Sequence, residues 1–266
     1  MQATIEILAP LVTPLAGDNV CKASVKRQIE LIKDSVTGYV PCLTSGEGWR
    51  LSKSQWLEMA KTTIEFSERK KVIVGIERPT TSEVLEYASL AEELGAESIM
   101  FTTPFGEEVT QNEMIEHFQK VHDKVRLNIY IYNETSLSKN NADLQTLTEI
   151  AKLERVLGIK DSPPSIRDKN DINILRESGL RYFVGWEHRL DADKNVDGNI
   201  VSLSNLKPEI SLLATQLPPG MLKNEIQRLS EFYSLEDEQW FRYIKAHLNN
   251  FGVLSTNQLA KVEDRV

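Results

Sequence analysis

Eight short apolar runs alternate along this 266-residue chain with longer stretches in which apolar residues recur at helical spacing, and that alternation narrows the possible folds more than any other feature. The runs are Ile5–Thr13, Gly38–Leu43, Val72–Ile76, Ser98–Thr102, Leu127–Tyr132, Val156–Lys160, Arg181–Val184 and Asn199–Ser202. Helical spacing between them covers Ala23–Val36, Lys53–Glu68, Thr81–Leu94, Gln111–Lys124 and Asn141–Leu153. A strand buried on both faces reads as a continuous apolar segment, and joining parallel neighbours requires a crossover, usually a helix. Eight such units predict an α/β fold, a (β/α)8 TIM barrel with C-terminal helices. Residues 1–216 are expected to form the barrel, and residues 217–266 a helical appendage of the same domain. A doubly wound sheet is the competing architecture, but its glycine-rich phosphate turn is missing after the first run, where the chain reads TPLAGDN (Thr13–Asn19).

Composition matters here mainly for what it excludes. A net charge of −8 argues against a nucleic-acid or anionic-membrane surface, which begins with clustered Lys and Arg. No apolar run approaches the roughly 18–20 residues of a membrane span, and the N-terminus lacks the basic region and cleavage site of a leader, so a cytoplasmic protein is expected. The two cysteines, Cys21 and Cys42, form neither a disulfide framework nor a CxxC metal site.

In a barrel of this kind, chemistry sits where strands end on their C-terminal side. These ends are polar: Leu43–Arg50 (LTSGEGWR), Ile76–Thr80 (IERPT), Thr102–Glu108 (TTPFGEE), Tyr132–Thr135 (YNET), Lys160–Asp161 and Gly185–Arg189 (GWEHR). Lys160 ends the apolar segment Val156–Ile159. A lysine there either reaches solvent or Asp161, or sits partly desolvated, where it loses its proton more readily and becomes an amine nucleophile able to form a Schiff base. Tyr132 is either a strand-end aromatic with a hydrated hydroxyl or a proton relay. In TSGE, the hydroxyls of Thr44 and Ser45 and nearby backbone N–H groups suit a carboxylate, although Ser45 or Ser52 could equally cap a helix.

TSGE (Thr44–Glu47), YN (Tyr132–Asn133) and GIKDS (Gly158–Ser162), in that order and spacing, resemble the pyruvate-dependent aldolase family that includes dihydrodipicolinate synthase and N-acetylneuraminate lyase. The resemblance extends from APLVTPL (Ala9–Leu15) to SNLKPE (Ser204–Glu209). It implies a (β/α)8 barrel with C-terminal helices that assembles as a homodimer or homotetramer. It also implies a Schiff base between a lysine and pyruvate or another 2-oxo acid, with no metal or organic cofactor. Carried over position by position, it makes Lys160 the Schiff-base lysine, Tyr132 the proton shuttle, Thr44 and Ser45 the holders of the 2-oxo acid carboxylate, and Ile200 a site residue through its backbone carbonyl.

Several positions depart from the family pattern. The synthases' relay tyrosine falls in the stretch Pro104-Phe105-Gly106, which offers no hydroxyl, and the arginine that holds the aldehyde's carboxylate is replaced by Leu137. Thr135 replaces the usual proline, Glu77 and Arg78 replace small residues, and Trp186-Glu187-His188-Arg189 stands where small or acidic residues are usual. The expected function is therefore a Schiff-base lyase or synthase acting on pyruvate or another 2-oxo acid, with a different second substrate and not dihydrodipicolinate synthesis itself. A hydratase or dehydratase using the same lysine, and a catalytically silent member that binds ligand, are the rivals. Arg78 is expected either to bind the second substrate or to pair with Glu77 or another rim acid.

Overall fold

Each apolar run overlaps a strand in the computed structural model, the last by Asn199 alone, and the strands close on one another in sequence order to form a parallel barrel. The structure describes residues 5–163, 165, 167–192 and 195–261, so the outer ends of the expected 1–216 and 217–266 division lie outside the described residues. The strands are β1 (Glu6–Ala9), β2 (Gly38–Tyr39), β3 (Lys71–Ile76), β4 (Ser98–Thr102), β5 (Asn128–Glu134), β6 (Val156–Ser162), β7 (Arg181–Val184) and β8 (Gly198–Asn199). Closure occurs where β8 pairs with β1, Gly198 opposite Glu6 and Asn199 opposite Ile7.

The helices are α1 (Lys22–Ile32), α2 (Lys53–Phe66), α3 (Thr81–Glu93), α4 (Gln111–Lys124), α5 (Leu144–Ile150), α6 (Lys169–Glu177) and α7 (Pro208–Gln216), followed by α8 (Lys223–Phe232) and α9 (Trp240–Asn250). Local chemistry sets their starts. Ser52 with Gln55, and Thr110 with Glu113, form reciprocal capping boxes. α5 begins later than its apolar spacing predicts because the Asp143 side chain caps it, accepting from the Thr146 N–H at 2.7 Å. Besides short helical turns, the sequence reading lacks α6, capped by Asp168, and a two-stranded antiparallel ribbon of Leu15–Ala16 and Asn19–Val20. Gly17, with φ +64°, turns that ribbon.

Strand alternation divides the core. Leu8, Val40, Ile73, Met100 and Phe183 fill the barrel, while Ile7, Val74, Ile99, Ile131 and Ile159 face the helices. The C-terminal helices pack through Ile226, Leu229, Ile244 and Leu248 against Val12, Val201 and Leu203. They are also joined to the barrel by a fully buried ion pair between Lys245 and Glu47, in which Glu47 further accepts from the Ala260 N–H at 2.9 Å. Removing one member of a buried pair leaves the other charge uncompensated. The Lys245→Met chain is therefore expected to lose about 3–5 kcal/mol of stability in urea denaturation; a loss below about 1 kcal/mol would show that the pair is dispensable. Among the described residues, no helix is long and apolar enough to cross a membrane.

Candidate active site

The period-two alternation of β5 and β6 decides which polar side chains enter the barrel. Tyr132 pairs with Lys160, and Lys160 with Phe183, so the three lie at one level facing inward. Their successors face the helices. Asn133 donates to Asp161 at 2.8 Å, and Asp161 also accepts from Arg167 at 2.5 Å and from the Tyr182 hydroxyl at 3.0 Å. Asp161 therefore belongs to a packing network on the outer face and is no partner of Lys160.

Lys160 is buried and donates from Nζ to the Tyr132 hydroxyl at 3.0 Å. That hydroxyl lies 3.0 Å from Thr44 Oγ1 and donates to Glu134 Oε2 at 3.2 Å. Thr44 sits in the helical turn Thr44–Gly46, and its hydroxyl meets Glu77 Oε1 at 2.5 Å. A hydrogen-bonded sequence thus runs Lys160–Tyr132–Thr44–Glu77. Gly185 leaves space for the lysine stem, since a Cβ there would come within 3.0 Å of Lys160 Cε and 2.6 Å of Ser162 Oγ.

Burial shifts the charges of this group. It lowers the Lys160 pKa, opposed in part by Glu134, Glu77 and Glu187. It raises Tyr132 well above the ordinary phenol value, helped by the nearby Glu134 and Glu77, so Tyr132 remains a proton-bearing donor at neutral pH. Glu77 is fully buried and pushed up to about 7, with the Thr44 hydrogen bond and Lys160 opposing the shift. Glu187 is also raised by burial, although it accepts from the Ser202 and Leu203 N–H groups at 2.6 and 3.3 Å.

Lys160 and Tyr132 open into a cavity of about 340 Å³, lined also by Ser45, Glu134, Ser162, Trp186, Glu187, Ile200, Ser202 and Trp240. Of the residues expected to hold the 2-oxo acid, Ser45 and Ile200 line this space. Ser45 Oγ lies 2.9 Å from Ser202 Oγ and accepts from Trp240 Nε1 at 3.3 Å. Thr44 is not among the lining residues, its hydroxyl being engaged by Tyr132 and Glu77. The expected substrate role of Arg78 must be corrected. Continuing the alternation of β3, Glu77 turns inward and Arg78 outward, where its guanidinium donates to the Gly48, Glu77 and Leu51 carbonyls and stacks on the Tyr87 ring. It does not line the cavity.

The sequence reading gave no role to Glu134, Ser162, Ser202 or Trp240. Alternation counted two residues on from Tyr132 and Lys160 reaches Glu134 and Ser162, so that signal was present. Nothing local marks Trp240, which α9 brings across the chain to Ser45. Among the described residues, no cluster of His, Cys, Asp or Glu is arranged to hold a metal ion.

A closed parallel barrel with a buried lysine and a phenol facing one another at the C-terminal ends of adjacent strands defines the class, an α/β barrel built around an amine. Within that class, the chain belongs to the dihydrodipicolinate synthetase family, whose model matches residues 3–261. It is thereby an enzyme of the lyase and synthase class. It is similar to the 4-hydroxy-tetrahydrodipicolinate synthase of Thermodesulfovibrio yellowstonii, 25% identical over 95% of this chain and 84% of that one. The synthase of Methanococcoides burtonii is 28% identical over 62% of this chain and 57% of the relative. In fold it is similar to the Acinetobacter baumannii dihydrodipicolinate synthase solved with pyruvate, with a TM-score of 0.86, 21% identity, and 99% and 94% of the two chains covered. These names do not bear out the expectation that dihydrodipicolinate synthesis itself is excluded, and at such identities they do not assign it to this chain either.

Proposed function

We propose that the protein is a Schiff-base lyase or synthase acting on pyruvate or another 2-oxo acid, making or breaking a carbon–carbon bond. The observation that supports it most is the buried Lys160 amine, hydrogen-bonded to Tyr132 and opening into a cavity of about 340 Å³. The amine attacks the ketone carbon, Tyr132 carries protons between the nitrogen, the departing oxygen and the adjacent carbon, and the resulting enamine adds to an electrophile. Ser45, Ser202 and the N–H groups opening the 44–46 turn are the donors offered to the 2-oxo acid carboxylate. Assembly as a homodimer or homotetramer belongs to the same reading and is measured by sedimentation.

The same cavity bears on the second substrate. Glu134, Glu187 and Glu236 line it, and among its described lining residues Lys160 is the single Lys or Arg. With Leu137 in place of an arginine and Arg78 engaged elsewhere, no guanidinium among the described residues lines the cavity to hold a second carboxylate. The indoles of Trp186 and Trp240 offer flat apolar faces instead. An uncharged hydroxyaldehyde is therefore the favoured electrophile, and synthesis of dihydrodipicolinate is disfavoured. With the pyruvate enamine preformed, glyceraldehyde should react with a kcat/KM roughly ten- to a hundredfold above that of succinic semialdehyde, the scale of a few partly screened like-charge contacts. A preference for the carboxylated aldehyde would overturn this choice and return the synthase activity to the protein.

A further inference from the structure

Glu77 is a buried carboxyl whose position needs an explanation. Its Oε1 meets Thr44 Oγ1 at 2.5 Å, and its Oε2 is buried with no hydrogen-bond partner. Among the described residues no cation pairs with it directly, since Arg78 donates to the backbone carbonyls of Gly48, Glu77 and Leu51, and Lys160 donates to Tyr132. The chain backbone makes room for it at Gly48, where a Cβ would lie 2.8 Å from Oε2. An ionised carboxylate in such a place is costly, so the group favours the acid form while remaining linked to the amine by two hydroxyls.

We propose that Glu77 is the proton store of this site, taking one proton from the Lys160 ammonium through Tyr132 and Thr44 and returning it when the imine forms. The proposal rests on the Schiff-base reading above. In the first step the Tyr132 proton turns from Glu134 to Thr44, and Tyr132 and Thr44 each accept one proton and release one, leaving a free amine at Lys160 and a carboxylic acid at Glu77. The amine then forms the N–C bond as the carbonyl π bond opens, and a nitrogen proton moves to the alkoxide to give a neutral carbinolamine. In the last step the proton stored on Glu77 returns along the same hydroxyls to the carbinolamine oxygen. The C–O bond breaks, water leaves, the nitrogen lone pair closes the protonated imine, and Glu77 is again a carboxylate. The net change is ammonium plus ketone giving iminium plus water.

The geometry suits the task. Every link is 3.0 Å or shorter, and Glu77 acts only through Thr44, which makes it a positioning residue for protons that never touches the substrate. Lys160, Glu134 and Arg78 are the charged groups acting on it, with the Tyr132 phenol and the buried Cys42 thiol as neutral neighbours. Its midpoint near 7 lets the carboxyl hold or release a proton in the neutral range. Phe105 and Gly106 contribute no proton-bearing side chain to the sequence.

The test is the single-turnover rate of imine formation with pyruvate, trapped by borohydride and followed across pH. The wild-type rate is expected to show a limb with its midpoint at about 7. Glu77→Gln keeps the shape and the hydrogen bond to Thr44 but holds no exchangeable acid proton. It is expected to slow imine formation about 10²-fold at neutral pH and to remove that limb, with pyruvate binding unchanged. A merely structural role would leave the limb in place. Should Glu77→Gln fail to fold by circular dichroism, Thr44→Val severs the path with Glu77 present and must lose the same limb. Either folded variant retaining the wild-type limb overturns the proposal alone, whereas a wild type that forms no imine overturns it together with the Schiff-base reading.

Discussion

Borohydride added to the protein in the presence of pyruvate is expected to leave a stable adduct on Lys160, and the Lys160→Ala chain is expected to remain unmodified there. Amines at the surface are almost wholly protonated at neutral pH and do not attack a ketone efficiently. Burial lowers the Lys160 pKa, so its unprotonated fraction is larger. The nitrogen is also held 3.0 Å from a phenol able to move the protons that imine formation requires. Lys160→Ala closes the covalent path, and turnover with the true substrates is expected to fall on the order of 10⁵-fold or more, the scale seen when a nucleophile is deleted. Stability is a poor objection to this test, because removing a buried amine relieves desolvation as well as deleting contacts. Peptide mapping after reduction decides the matter, and adducts confined to surface lysines would refute the assignment.

Tyr132→Phe is expected to slow turnover by roughly two to four decades, the range for losing a positioned acid–base group. The ring is buried and packs beside Phe183, Ile200 and Met100 in the barrel interior, and phenylalanine preserves that packing. Only the hydroxyl is lost, and with it a partner of Lys160 Nζ, Thr44 Oγ1 and Glu134 Oε2. Affinity for the 2-oxo acid should change little, while the rate of imine formation carries the loss. This division between binding and rate separates a proton relay from a packing role. A Tyr132→Phe enzyme as fast as wild type would place the relay elsewhere.

The contrast between Glu77 and Arg78 shows how far sequence reasoning reaches. Both stand at the end of β3, and composition alone favours the arginine as a ligand for an acidic substrate. Alternation along the strand reverses that choice, because the side chain following Ile73 and Gly75 on the inner face is Glu77. Arg78 lies instead on the outer side, stacked on Tyr87 of α3. That this strand end is polar was legible, but which residue of the pair enters the barrel depended on register.

Sequence alone located the eight strands, Ser98–Thr102 and Arg181–Val184 to the residue, and most of the helices between them, since buried parallel strands must be apolar throughout and amphipathic helices must show a 3.6-residue period. It also singled out Lys160 and Tyr132, because GIKDS and YN stand with TSGE in the order and spacing of the family they resemble. Tertiary structure decided the rest. The register of β5 against β6 set Lys160 beside Tyr132, and the turn at Thr44–Gly46 carried Thr44 between that phenol and Glu77. The C-terminal helices delivered Trp240 to Ser45 and buried Lys245 against Glu47. Such contacts join residues as many as 198 positions apart in the chain, as with Glu47 and Lys245, and no local periodicity encodes them. They arise because long-range packing brings polar groups into one desolvated space, where each must find a partner, hold a proton or remain unsatisfied.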